Sequence, residues 1–278
     1  MKSSFFIACI ATSILLTAGC GGKEKEAMQR LAHAEAMYER NEAMAAKSEI
    51  DTIRKYYSED VKVMKASLLL LWKIELKEAE RNIAYCDSLL PVRQAEAVRL
   101  SKDFILEKNE YQAAGLYIHK QQMVEKNVER SYIRCSVSET GELTLISIYF
   151  GSAPINHTAI RISSRSGLFV HTATVPYDGG MNYRFKDLGN TSEIVNYKGS
   201  HCTDAVSFIC SNQKERLKVD YTGGKAYSIY MDEASGKAVL AASELAVALS
   251  DVSRLSKERN IAADKIAWLT EKLSPASV

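Results

Sequence analysis

Apolar side chains recur at Ile50, Ile53, Tyr57, Val61, Met64, Leu68, Leu71 and Ile74, in steps of three and four that lay one stripe along a helix. The run Leu68-Leu69-Leu70-Leu71-Trp72 widens the stripe into a helix gripped on more than one side, and it is far too short to cross a bilayer. Pro91 lacks an amide donor and pushes its predecessor out of helical geometry, which predicts a stop after Leu90. A second helix then spans 92–129 on Ala97, Leu100, Phe104, Tyr111, Ala114 and Ile118, and the two fold back as an antiparallel hairpin over 48–130. A third covers 237–273, with Leu245, Ala248, Val252, Leu255, Ala262, Ile266, Leu269 and Leu273 at heptad a and d positions and Arg259 as the one charge in the seam. Each of the three is about 57 Å long at the helical rise, which predicts a shared bundle. Ahead of them, 20–47 supply a tether and first helix. Residues 24–57 alternatively form a separate helical hairpin breaking near Arg40-Asn41-Glu42, and Ala34-x-x-x-Tyr38 has the spacing of the second helix of a tetratricopeptide unit.

From Ser131 the period changes to two. Residues 132–138 and 143–150 read as strands around Glu139-Thr140-Gly141-Glu142, 157–163 and 168–174 as strands around Ser164-Arg165-Ser166-Gly167. Residues 183–185, 193–197, 217–221 and 226–231 are further strands. Between them, Thr203 to Gln213 is either a short helix capped by Thr203, with Cys202, Ala205, Val206 and Ile209 on one side, or a buried strand. The expected fold class is therefore α+β: a long antiparallel helical bundle or coiled coil, plus an antiparallel β sandwich or open barrel over 131–236, with the 237–273 helix packed on the hairpin and a tail at 274–278.

Composition sharpens the split. Ten of 14 Gly and two of four Pro lie between Arg130 and Lys237, so the scarcity of breakers belongs to the helical regions. A net charge of +2 gives no electrostatic case for nucleic acid, which needs concentrated Lys and Arg.

Candidate chemistry is sparse. Of six Cys, Cys86, Cys135, Cys202 and Cys210 fall within the folded regions. Cys202 and Cys210 are about 12 Å apart along a helix and further along a strand, too far for a disulfide; Cys135 pairs with one of them, or the thiols are free. His201-Cys202-Thr203-Asp204 would activate a nucleophile only if neighbouring side chains met, and on a regular element they point apart. If Ser163 stands opposite Leu168, then His157 faces Thr174 and His171 faces Ile160, on opposite sheet faces. No phosphate loop, Gly-x-Ser-x-Gly, His-Glu-x-x-His or Cys-x-x-Cys occurs, so no catalytic residue, metal or cofactor is assigned and the chain is not read as an enzyme. The most distinctive segment is Pro176-Tyr177-Asp178-Gly179-Gly180-Met181-Asn182-Tyr183-Arg184. Its Gly pair lets backbone approach a partner, and Tyr177, Asp178, Asn182 and Tyr183 supply aromatic faces and hydrogen bonds for a ligand. The alternative is a tight connection whose Tyr rings pack the sheet edge.

At the N-terminus, Lys2 precedes an apolar stretch from Phe5 to Leu16 and then Thr17-Ala18-Gly19-Cys20. The stretch is too short to span a membrane and reads as a cleaved export signal over 1–19. Leu16-Thr17-Ala18-Gly19-Cys20 resembles the bacterial lipobox, with Thr17 where Leu is usual, and the resemblance implies acylation at Cys20. With the helical region, Tyr-rich β region and C-terminal coiled helix behind it, the chain resembles lipoproteins of Bacteroidota. That resemblance implies a cell-envelope protein held to a membrane, most readily the outer membrane, by its lipid, and it brings no activity. The expectation is a lipid-anchored protein with helical stalk and β head, serving as a structural or protein-interaction module for an envelope partner, with exposed heptads open to a second copy. The runner-up is a module that binds glycan or cell-wall fragments through the Tyr/Gly-rich loop.

Overall fold

A computed structural model describes residues 19–108, 110 and 114–274. Residues 1–18 of the expected 1–19 signal, Tyr111, and residues 275–278 of the tail lie outside the described residues. The elements run in the order α1 (Gly19–Glu39), α2 (Ala43–Tyr56), α3 (Val61–Ser101), β1 (Phe104–Glu107), β2 (Leu116–His119), β3 (Tyr132–Ser138), β4 (Leu143–Gly151), β5 (Ala159–Ser163), β6 (Phe169–His171), β7 (Asn182–Asp187), β8 (Asn190–Lys198), α4 (Thr203–Ser211), β9 (Lys218–Thr222), β10 (Tyr227–Tyr230) and α5 (Glu233–Lys272). The protein is α+β, with a long helix packed on antiparallel sheet. It divides into two compact units, residues up to 85 with 258 onward, and residues 86–257.

In the helical unit, α1 and α2 form a hairpin whose turn places Asn41 at φ +63°, a backbone state Asn tolerates better than most residues. Ala34 and Tyr38 lie in the first helix of this hairpin rather than its second. Ala34, Ala46, Ile50, Leu70 and Ile74 share a core, and Arg30 meets Glu49 at 3.1 Å across the hairpin. The single stripe expected from Ile50 to Ile74 is broken after Tyr56. Asp60 takes the amides of Lys62 and Val63 on its Oδ1, each at 3.1 Å, and starts α3 afresh. The restart shifts the frame: Val63, Ser67, Leu70 and Ile74 are buried, while Val61 and Leu68 face solvent. The last turns of α5 pack alongside α3, with Trp72 edge-on to Trp268 at 6.0 Å and Lys265 on Glu75 at 3.3 Å.

The expected stop at Pro91 does not occur, and with it goes the hairpin over 48–130. Helix α3 continues through Pro91 to Ser101, with the ring on an exposed position where it meets water rather than packed neighbours. The expected second helix ends there as well, because β1 and β2 pair antiparallel from Phe104↔His119 to Glu107↔Leu116 and dock on β3. Helix propensity is a weak prior that sheet pairing overrides.

The β unit holds a six-stranded sheet in the order β1-β2-β3-β4-β8-β7 and a four-stranded sheet in the order β10-β9-β5-β6, all neighbours antiparallel. The inner faces share one core: Ile133, Cys135, Leu145, Val195 and Tyr197 from the first sheet, Ile160, Ile162, Val219 and Tyr221 from the second. Ala205, Val206 and Ile209 of α4, and Val239, Ala242 and Leu245 of α5, close the same core. The segment after Cys202 is thus the helical alternative. Thr203 does not cap it; its hydroxyl donates back to the Gly199 carbonyl at 2.9 Å.

The two expected hairpins, 132–150 and 157–174, both form, but the β5–β6 register differs by one residue. Ser163 stands opposite Phe169, and His171 opposite Arg161. The cause is Gly167, which at φ +89° forms a bulge after the turn while the Ser164 amide donates to the Leu168 carbonyl. His171 therefore stands exposed beside Phe169, while His157 precedes the strand and is buried.

Candidate functional site

Alternation in β3, β4, β8 and β7 sends one set of side chains into the core and the other outward. Ladder partners Tyr132↔Ile148↔Ile194↔Tyr183 and Arg134↔Ile146↔Asn196 share the outer face. With Phe150, Ser192 and Phe185 they floor a groove of about 480 Å³. One wall is the segment 124–130, carrying Val124 and Val128; the other is the β7–β8 turn, carrying Asp187 and Leu188. Both walls are held in place. The buried Gln122 side chain donates to the Ile133 carbonyl and accepts the Cys135 amide at 2.9 Å, and Asn127 donates to the Gln121 and Met123 carbonyls. The turn at Leu188-Gly189 uses positive φ at both residues, which suits the twist of the hairpin.

The groove is apolar and open. Phe185 is 52% exposed, and Leu188, at 93%, stands clear of the sheet. Its cations differ: Arg130 is paired with Asp232 at 2.6 Å, whereas Arg134 is only 13% exposed at the side chain and has Glu107 at 3.8 Å. The Arg134 Nε has no hydrogen-bond partner among the described residues. Burial raises the Tyr132 hydroxyl above its ordinary pKa, against the pull of neighbouring Arg134.

The loop singled out by sequence is held by its own polar side chains. Asp178 Oδ1 accepts the amides of Gly180 and Asn182, each at 2.9 Å, and these donors hold its carboxyl below the usual range. Asn182 is buried, donating to the Val175 carbonyl at 2.7 Å and the His157 carbonyl at 3.2 Å. Tyr177 is exposed under the Arg184 guanidinium, 4.8 Å from the ring centre. Tyr183 lies on the outer face, in the groove. Asp178 and Asn182 are thus joined within the loop, while Tyr177 and Tyr183 are not brought together. Cys20 lies in the first turn of α1.

Sequence reasoning missed a buried polar chain on the inner face. Ser147 Oγ lies 2.9 Å from His157 Nε2, His157 Nδ1 lies 2.8 Å from Glu193 Oε2, and Tyr197 reaches Ser147 at 3.2 Å. Glu193 also accepts the amides of Ile155, Asn156 and His157. Burial pushes the Glu193 carboxyl up, but the Asn156 and His157 donors together outweigh it and hold it below the usual range. Burial also depresses His157 despite the Glu193 carboxylate, so the neutral ring donates from Nδ1 and accepts the Ser147 hydroxyl at Nε2. The order Ser–His–Glu is that of a nucleophile, its base and an orienting acid. Ser147 is fully buried, and through the three amides that Glu193 accepts the chain clamps 155–157 onto β8. One signal was available: Glu193 shares the period-two face of Val195 and Tyr197, a carboxylate at a core position.

Cys135, Cys202 and Cys210 form no disulfide. Burial raises the thiols of Cys135, Cys202 and Cys210, the reverse of what an activated nucleophile requires. No described helix is long and apolar enough to cross a membrane. No protein-family model, curated protein or solved structure matches this chain. Fold and geometry define its class: an α+β protein with a preformed apolar groove on a sheet face.

Proposed function

We propose that this is a lipid-anchored envelope protein whose β unit is a binding module, with the groove over Ile146, Ile148 and Ile194 as its ligand site. The observation that carries this reading is an open apolar groove of about 480 Å³ with one wall held by the Gln122 and Asn127 side chains and the other by the tight Leu188-Gly189 turn, a size and lining typical of small-molecule sites. The Tyr/Gly-rich loop has less to offer, since Asp178 and Asn182 already satisfy backbone groups. The neutral fluorophore N-phenyl-1-naphthylamine should brighten on binding the purified protein, and Ile194→Glu, which puts a charge on the floor, should abolish the signal while leaving the circular dichroism unchanged. An unchanged titration in a folded Ile194→Glu variant would count against the site.

A protein partner is the second reading, favoured by exposed Leu188 and Val128 on the walls and exposed Phe185 on the floor. A photo-crosslinker at Leu188 would then capture one envelope protein. The anchor rests on the lipobox resemblance of Leu16 to Cys20. Cys20→Ala should abolish fatty-acid labelling and membrane retention, and persistent labelling would end the lipoprotein reading.

A further inference from the structure

Resting on the groove as the ligand site, we propose that its ligand is a small apolar acid: an aliphatic or aromatic body on Ile146, Ile148, Ile194 and Phe185, with one carboxylate meeting Arg134. Charge complementarity favours an acid. Arg134 lines the groove with its side chain 13% exposed, and its ladder neighbour on β4 is Ile146. Its nearest carboxylate, Glu107, lies at 3.8 Å on an exposed side chain, and its Nε donor has no partner among the described residues. Tyr132 also shares a side-chain hydrogen bond with Arg134, but a guanidinium this enclosed that lacks a close carboxylate is costly, and an arriving one relieves that cost while its apolar body covers the floor. The other groove cation, Arg130, is already engaged by Asp232 at 2.6 Å. Glu129 and Asp187 also line the groove, both solvent-exposed. Exposed charges are screened by water and salt, so they weigh less than the enclosed Arg134.

Three ligands with one body and different heads test this on the full-length protein: octanoate, octan-1-ol and octylamine, followed by calorimetry at pH 7. Octanoate is expected to bind about tenfold tighter than octanol, the scale of one charge-assisted hydrogen bond, and octylamine weakest. Arg134→Gln should remove the octanoate advantage over octanol, while Arg134→Lys should keep part of it. Equal affinity for octanoate and octanol, or a preference for octylamine, overturns the acid while leaving the groove as the site. Failure of all three overturns both. If Arg134→Gln does not fold, the ranking of the three heads on the unaltered protein decides alone.

Discussion

Glu193 ties the 155–157 segment to β8. One carboxylate accepts three successive backbone amides and the His157 ring while almost wholly removed from water. Removing it leaves buried donors unpaired, so Glu193→Gln should cost about 2–4 kcal/mol in urea unfolding at pH 7. Acid should weaken the unit in two stages. His157 sits below its ordinary 6.5, so as pH falls past 6.5 the unfolded chain binds a proton that the folded chain refuses, and stability drops. Glu193 sits below its ordinary 4.5, so its contribution is complete above that value and is lost as pH falls through the lower folded value. Glu193→Gln should remove the second stage; a urea midpoint equal to the unaltered protein's at pH 7 would show that the chain does not clamp the fold. The sequence shows Ser147, His157 and Glu193 as separate polar residues. Their meeting depends on which strands neighbour one another, and no local pattern encodes that.

At the scale of elements, two turns built alike test how backbone and packing share a constraint. Gly141 and Gly167 both sit at positive φ after tight turns, at +87° and +89°. A Cβ on Gly167 meets open space, whereas one on Gly141 would lie 2.3 Å from the Ser250 nitrogen and 2.6 Å from the Ala246 carbonyl oxygen, both backbone atoms of α5. Gly167→Ala should therefore cost about 1 kcal/mol of backbone strain, and Gly141→Ala about 1–3 kcal/mol more from the clash. Equal losses in the two variants would contradict the close approach of α5 to this turn. The α5 seam was legible because a sustained apolar repeat leaves little choice: Leu245, Ala248, Leu255, Ala262 and Leu269 are all buried. Pro91 misled because its cost is tolerated where the ring projects into water. The strands at 104–107 and 116–119 were hidden because Ala, Glu and Lys around them favour helix, while the partner that makes them strands, β3, lies further along the chain.

For the whole molecule, the change of period near Ser131 and the crowding of Gly into 131–236 were enough to reach an α+β chain with antiparallel hairpins. They could not reach the groove. Its floor is the outward half of four strands, Tyr132, Ile146, Ile194 and Tyr183 among them, and that half reads as unremarkable alternation until β4 is seen between β3 and β8. The loop with the most distinctive composition proved instead to be held by its own Asp178 and Asn182. The central claim, that ligand enters the outer groove, is tested most directly by isoleucine and methionine methyl NMR during titration with octan-1-ol. Saturable shifts are expected at Ile146, Ile148 and Ile194, with the methyls of Ile155 beside the buried chain and Met181 in the loop unmoved. Shifts centred on Met181, or none at any of the three groove isoleucines, would contradict it.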